Sequence, residues 1–201
     1  MDRLVSHLHR LLLAVLISVT LAACGVNAIP SLDEQVTANW SQVLNQYQRR
    51  ADLVPNLVET VKGFAAQERE TLTAVVEARS KVAQMKLPDN ILNNPDAFKK
   101  FQENQTALSS ALSRLLVVVE RYPDLKSNQN FLALQSQLEG TENRIAVARR
   151  DYIEAVKQYN TELRTFPGRI WAALLYSEAK LKENFSVANE GELATAPKVK
   201  F

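Results

Sequence analysis

Apolar residues recur every three or four positions along nearly the whole chain after residue 30, a spacing typical of α-helices that bury one face. Three such stripes are present, over residues 36–82, 98–122 and 131–166. The chain contains 5 glycines and 7 prolines, too few for the frequent turns of an all-β fold. The sequence therefore predicts an all-α fold built from long helices.

The first predicted helix begins at Ser31, which is followed three residues later by Glu34 in the pattern of a capping box. Its stripe passes Pro55 without a change of phase, so we predict one helix of about 55 residues that ends in the segment 86–90. Proline lacks the N–H that the carbonyl four residues earlier needs, which places a kink at Pro55. A break at Gly63 is the alternative.

Two more long helices and a short one follow in the sequence. The second helix has Asn94 as its N-cap and Pro95 at its first position. The third begins near Ser127, and a short fourth helix is predicted over 169–184. Short connections between amphipathic helices predict an elongated antiparallel up-and-down helical bundle of three long helices plus one short one, with packing like that of a coiled coil.

The N-terminus has the features of a secretory signal. A basic segment precedes an apolar run over residues 11–23, which at about 20 Å is too short to cross a hydrocarbon core of about 30 Å. Residues 21–25 read LAACG and resemble a bacterial lipobox. The resemblance implies cleavage between Ala23 and Cys24, a diacylglyceryl group on the Cys24 thiol and an acyl chain such as palmitate on the new amino terminus. An uncleaved signal anchor is the alternative.

Cys24 is the single cysteine, so we expect no structural disulfide even in an oxidising extracytoplasmic compartment. Gly25 stands where lipoproteins kept at the inner membrane typically have aspartate, which favours the outer membrane if the organism has one. We therefore divide the chain into a signal peptide (1–23), a tether (24–30), a helical bundle (31–185) and a flexible tail (186–201).

The charge balance and the reactive residues exclude several classes of function. The 24 Lys and Arg residues against 22 Asp and Glu leave a net charge of +2, too little for an electrostatic nucleic-acid binder. Both histidines, His7 and His9, and the cysteine lie within the first 24 residues, so the bundle has no imidazole or thiol for a catalytic triad or a zinc site. We expect no catalytic residue, no metal and no cofactor.

Two groups of charged residues remain as a candidate site, one around Pro55 and one in the third helix. If the two groups face each other, a buried polar network that fixes helix register is the leading interpretation. A solvated charged face is one alternative, and a ligand or catalytic site that uses Glu59 and Glu142 as acid and base is another. The residues of this candidate polar network are Arg49, Arg50, Asp52, Asn56, Glu59, Lys62, Glu142, Arg144 and Arg149.

Two stretches resemble the LemA family of bacterial envelope proteins. Residues 40–43 read WSQV and residues 49–64 read RRADLVPNLVETVKGF; later in the chain, residues 122–126 read YPDLK and residues 138–145 read LEGTENRI. The resemblance extends over 31–185 and implies an all-α bundle that is tethered at its N-terminus, with most of its mass outside the membrane. It implies no established reaction.

The leading functional hypothesis is a lipid-anchored, non-catalytic bundle on the extracytoplasmic face of the envelope, which acts as a scaffold or adaptor for other envelope proteins. Its partners would be the membrane and an unidentified envelope protein, and homo-oligomerisation is left open. The alternative is a protein whose helices bind lipid directly to sense or remodel the membrane surface; a carboxylate-based hydrolase is a third hypothesis. We interpret the basic residues of the predicted fourth helix, over 169–184, as solvated. The alternative is that this helix contacts lipid head groups through Arg169, Trp171, Lys180 and Lys182.

Overall fold

The computed structural model describes residues 25–186, and this part of the chain is all helical, which confirms the predicted all-α bundle. A single 3₁₀ turn over Ile91–Asn93 precedes the third α-helix. In chain order the α-helices are α1 (Ala28–Phe64), α2 (Arg69–Ala83), α3 (Pro95–Val119), α4 (Pro123–Lys126), α5 (Gln129–Arg164) and α6 (Gly168–Leu175).

The prediction of one long first helix is wrong, because the chain leaves the helix after Phe64 and starts a new one at Arg69. The helix does continue across Pro55, and the break falls next to Gly63, the alternative position. Beyond the break α2 runs back along α1, since Arg79 Nε donates to the carbonyl oxygen of Ala51 at 3.0 Å. In a continuous helix these two residues would be about 42 Å apart.

The described chain divides into two compact units, and the directions of the helices can be read within the larger one, which comprises residues 39–153 and 183–186. Its α1 and α5 are antiparallel, because Trp40 lies beside Tyr152 and Arg50 beside Glu142. There α3 runs parallel to α1, with Phe98 next to Trp40 and Gln105 next to Arg50. Together with α2, these helices form an up-and-down arrangement of four helices in place of the predicted three, so α3 runs parallel to α1 and not antiparallel to it.

The core of this larger unit is aliphatic over most of its length. Full burial of a leucine or valine side chain contributes about 1.5–3 kcal/mol, so the packed stripes of the helices supply most of the stability. The buried core residues are Val54, Leu57, Val58, Val61, Ala65, Leu72, Val75, Ala78, Leu108, Ala111, Leu112, Leu115, Val119, Leu125, Phe131 and Leu138.

Two of the observed helix starts have a side-chain N-cap, and both lie at or close to the start predicted from the sequence. Asn94 caps α3 by accepting a hydrogen bond from the Ala97 N–H at 3.1 Å, which confirms the predicted N-cap. Asn128 Oδ1 accepts from the Phe131 N–H in the same way at 3.1 Å, so α5 begins at Gln129, close to the predicted start. Ser31 is not a cap, because α1 already begins at Ala28.

The smaller unit comprises residues 25–38 together with residues 154–182. The predicted helix over 169–184 ends early, at Leu175, because the following chain bonds to side chains instead of continuing the helix. The backbone N–H of Lys182 donates to Asn160 Oδ1 and its carbonyl accepts from Asn160 Nδ2, each at 2.9 Å. This paired bond holds the segment after α6 against α5.

Candidate functional site

The candidate polar network is built around Arg50, whose side chain is 1% exposed on the buried face of α1. Its Nη1 donates to Ser109 Oγ at 2.6 Å and to Glu142 Oε1 at 3.1 Å. Its Nη2 donates to the side-chain and backbone oxygens of Gln105, at 2.6 and 3.1 Å. One guanidinium therefore joins α1 to α3 and α5, and of the predicted group only Arg50 and Glu142 take part in this contact.

Two of these partners were missed by the sequence analysis, although one of them had a signal. Gln105 occupies a buried position in the apolar stripe of α3, where a polar side chain requires a hydrogen-bond partner. Ser109 lies one turn further along the same helix and had no such signal. A polar residue such as Gln105 within an apolar stripe is thus the sequence pattern that indicates a buried contact with a basic residue of another helix.

Most other members of the candidate polar network lie on exposed faces and do not converge on Arg50. Gln48 Nε2 donates to Asp52 Oδ1 at 2.8 Å, and Lys62 pairs with Glu59 at 3.6 Å, both within α1. Arg144 Nη2 donates to its neighbour Thr141 at 3.2 Å. The exposed members are Arg49, Asp52, Asn56, Glu59, Lys62 and Arg144. Glu59 and Glu142, the pair considered for acid–base chemistry, have different partners: Glu59 pairs with Lys62, and Glu142 pairs with Arg50.

Arg149 belongs to a neighbouring aromatic cluster instead. Its guanidinium lies 4.3 Å from the centre of the Phe185 ring, a cation–π arrangement. Burial raises the pKa of the Tyr47 hydroxyl, and the positive charges of Arg149 and Arg50 oppose that shift. The rings of this cluster are those of Trp40, Tyr47, Phe98, Phe101, Tyr152 and Phe185.

A second polar cluster ties the break between α1 and α2 to the end of α3. Glu68 accepts hydrogen bonds from the Tyr122 hydroxyl at 2.6 Å and from Arg121 Nη2 at 3.1 Å. Gln67 Nε2 donates to the same tyrosine oxygen at 3.0 Å. The bond to Glu68 is the main cause of a raised pKa of Tyr122, because ionised phenolate would lose it. Glu68 lies between α1 and α2 and thus connects the turn where the chain reverses to the end of α3.

The smaller unit carries an exposed apolar face on α6. Phe166 is 81% exposed and Leu174 is 70% exposed, with Ile170 and Leu175 also exposed beside them. Of the basic residues predicted for lipid contact, Lys182 is engaged in an ion pair with Asp33 at 2.7 Å, and Arg169 is exposed. The apolar residues thus dominate this surface.

The start of the described chain lies against α6. A Cβ atom on Gly25 would lie 3.5 Å from both Pro167 Cγ and Trp171 Nε1. The predicted cleavage and lipidation positions, Ala23 and Cys24, lie outside the described residues, as do the signal peptide and nearly all of the tail.

Among residues 25–186, no helix combines the length and the apolarity needed to cross a bilayer. Nor do three or more acidic side chains of this part of the chain cluster in a way that would hold a metal ion.

Comparison with known proteins gives several distant relatives. Two magnetosome proteins of Paramagnetospirillum magneticum, MamQ 1 and MamQ 2, are each 27% identical over 157 residues, which is 70% of this chain and 58% of theirs. Protein LemA of Metamycoplasma hominis is 26% identical over 137 residues, which is 67% of this chain and 58% of that protein. The match thus spans less than two thirds of the length of these relatives.

The family model described as LemA family matches residues 39–201. This range contains α2 to α6, most of α1 and every residue of the Arg50 contact. The chain therefore belongs to the LemA family.

Proposed function

We propose that this chain is a lipid-anchored, non-catalytic helical bundle of the bacterial envelope that serves as a scaffold or adaptor for other envelope proteins. Membership of the LemA family and the likeness to a magnetosome protein support a place at a membrane. The lipobox-like residues 21–25 supply the means of attachment.

The observation that carries the non-catalytic part of the proposal is the use made of Arg50. It is the buried cation of the candidate polar network, and its hydrogen bonds go to side chains and backbone of α3 and α5. A guanidinium whose two terminal nitrogens are both bonded to neighbouring helices positions those helices, so we assign it a structural role.

Attachment would hold the bundle close to the bilayer. Three residues, 25–27, separate Cys24 from the first residue of α1. Even fully extended, a segment of four residues spans at most about 14 Å. A short connection of this kind suits a protein that presents its helices to partners in the same membrane.

The anchor is tested by the intact mass of the detergent-extracted full chain, with wild type beside Cys24→Ala. We expect the wild type to start at Cys24 with the added mass of a diacylglyceryl group and one acyl chain, and the variant to be unmodified. An unmodified, full-length wild type would overturn lipid anchoring in favour of a signal anchor.

The adaptor role is tested on the lipidated protein by native electrophoresis in mild detergent. We expect the wild type to migrate as a complex larger than one chain, and Val76→Asp or Val117→Asp, which add charge at exposed apolar positions, to weaken that complex. A monomeric wild type that changes the curvature of vesicles after reconstitution would instead favour direct action on the membrane.

A further inference from the structure

We propose that the exposed face of α6, formed by Phe166, Ile170, Leu174 and Leu175, is a second membrane contact that lies in the interfacial layer of the bilayer holding the anchor. The occupant of this surface is lipid, and the head groups it fits are anionic. This inference rests on the anchored state proposed above and adds a specific lipid-contacting surface to it.

The first argument is the arrangement of the apolar side chains. Ile170 and Leu174 are four residues apart within α6, so they lie on one side of this short helix, and Phe166 lies in the turn that precedes it. Each of them is exposed, as is Leu175. A compact row of large apolar side chains at the surface marks an interaction site more often than a solvated one.

The second argument is the position of this helix beside the point where an anchor would leave the chain. Gly25 lies against Pro167 and Trp171, and a Cβ on Gly25 would be 3.5 Å from each of them. Gly25 directly follows Cys24 in the sequence, so an acylated Cys24 would be attached one residue before this contact. A bilayer that takes up those acyl chains would come within reach of the exposed face of α6.

The third argument is charge. Arg164 at the end of α5 and Arg169 at the start of α6 are exposed and flank Phe166 in sequence. Basic side chains beside an apolar helix face are typical of helices that lie at anionic membrane surfaces. Lys182 takes no part, because its ammonium group pairs with Asp33 at 2.7 Å.

The test uses the mature full chain, extracted from membranes and reconstituted into vesicles of phosphatidylcholine and phosphatidylglycerol. Some vesicles carry lipids brominated near the top of their acyl chains, which quench tryptophan fluorescence at short range. The difference between wild type and Trp171→Phe isolates the emission of Trp171 from that of Trp40, which is buried in the aromatic cluster. We expect brominated lipid to quench the Trp171 emission strongly and the Trp40 emission weakly.

A variant with Phe166→Ser and Leu174→Ser removes the two most exposed members of the α6 face. We expect it to lose most of the Trp171 quenching while its thermal unfolding stays unchanged, because neither side chain is buried. The matched control is a variant with Val117→Ser and Val147→Ser, which changes two exposed valines of the larger unit. In this control, brominated lipid should quench the Trp171 emission as strongly as in wild type.

Intact mass, measured on the same samples, separates this inference from the anchor. Acylated Cys24 without quenching of Trp171, or equal quenching in the double-serine variant, would overturn the α6 contact and leave the anchor standing. Quenching that depends on Phe166 and Leu174 in a chain without acyl groups would support the α6 contact and overturn the lipid anchor. A retained signal peptide with no quenching would overturn both.

Discussion

Arg79 supplies to Ala51 the hydrogen bond that Pro55 cannot make. In an α-helix the carbonyl of Ala51 would accept from the N–H of residue 55, and proline has none. Arg79 Nε, on the neighbouring helix α2, donates to that oxygen at 3.0 Å. Pro55 thus leaves the Ala51 carbonyl without its helical donor, and Arg79 replaces that donor and joins α1 to α2.

Replacement of Arg79 by methionine should destabilise the protein by about 1 kcal/mol, because the Ala51 carbonyl loses its donor in a partly buried place. The loss of stability caused by Arg79→Met should be smaller in a Pro55→Ala background, because the alanine at position 55 provides the N–H that proline lacks. Urea unfolding of the four proteins of this double-mutant cycle measures the coupling free energy.

The control for this cycle is Arg114→Met, since Arg114 also donates Nε to a backbone carbonyl, that of Ser110, but on an exposed face of α3. Its free energy of unfolding should change by less than about 0.5 kcal/mol. Equal costs of Arg79→Met with and without Pro55 would show that the two residues are not linked in this way.

Arg50→Met should be far more damaging than Arg49→Met, although the two arginines are adjacent in the sequence. Arg50 is buried and Arg49 is exposed, so only the first substitution leaves Gln105 and Glu142 without their donor. We expect a loss of about 2–4 kcal/mol for Arg50→Met and less than about 0.5 kcal/mol for Arg49→Met, measured by urea unfolding.

A double variant, Arg50→Met with Gln105→Leu, should recover part of that loss, because both buried polar partners are then replaced by apolar groups. If the double variant is less stable than Arg50→Met alone, Gln105 has an independent structural role and the account of the contact given above is incomplete.

The sequence was sufficient for the features that depend on local patterns. Apolar spacing predicted the helices, and the Asn94–Pro95 pair predicted the start of α3. The chain reversal between Phe64 and Arg69 was harder to predict, because the apolar phase of α1 continues into α2 and Gly63 was the one local hint. The contacts of Arg50 and Arg79 depend on which helices meet, and periodicity within one helix does not contain that information.

Two glycines should respond to alanine with opposite signs. A Cβ on Gly168 would overlap the backbone carbonyl of Glu162, so Gly168→Ala must move α6 and should cost about 1–3 kcal/mol. Nothing lies within 4 Å of a Cβ on Gly63, and this residue is helical, so Gly63→Ala should stabilise by about 0.5–1 kcal/mol. Thermal unfolding of both variants beside wild type checks this, and a stabilised Gly168→Ala would contradict the close packing of α6.

Stability should decline above about pH 10, with Tyr159 as one identifiable cause. Burial, and secondly the charge of Asp33, raise its pKa to about 12. The folded state therefore holds this proton more tightly than the unfolded state, whose tyrosines titrate near 10. The contribution of the protonated Tyr159 to the free energy of unfolding is complete below pH 10 and is lost as the pH rises toward 12. The total loss is roughly 2–3 kcal/mol. Urea unfolding between pH 8 and 11 should show a shallower decline for Tyr159→Phe than for wild type; parallel curves would contradict the assignment.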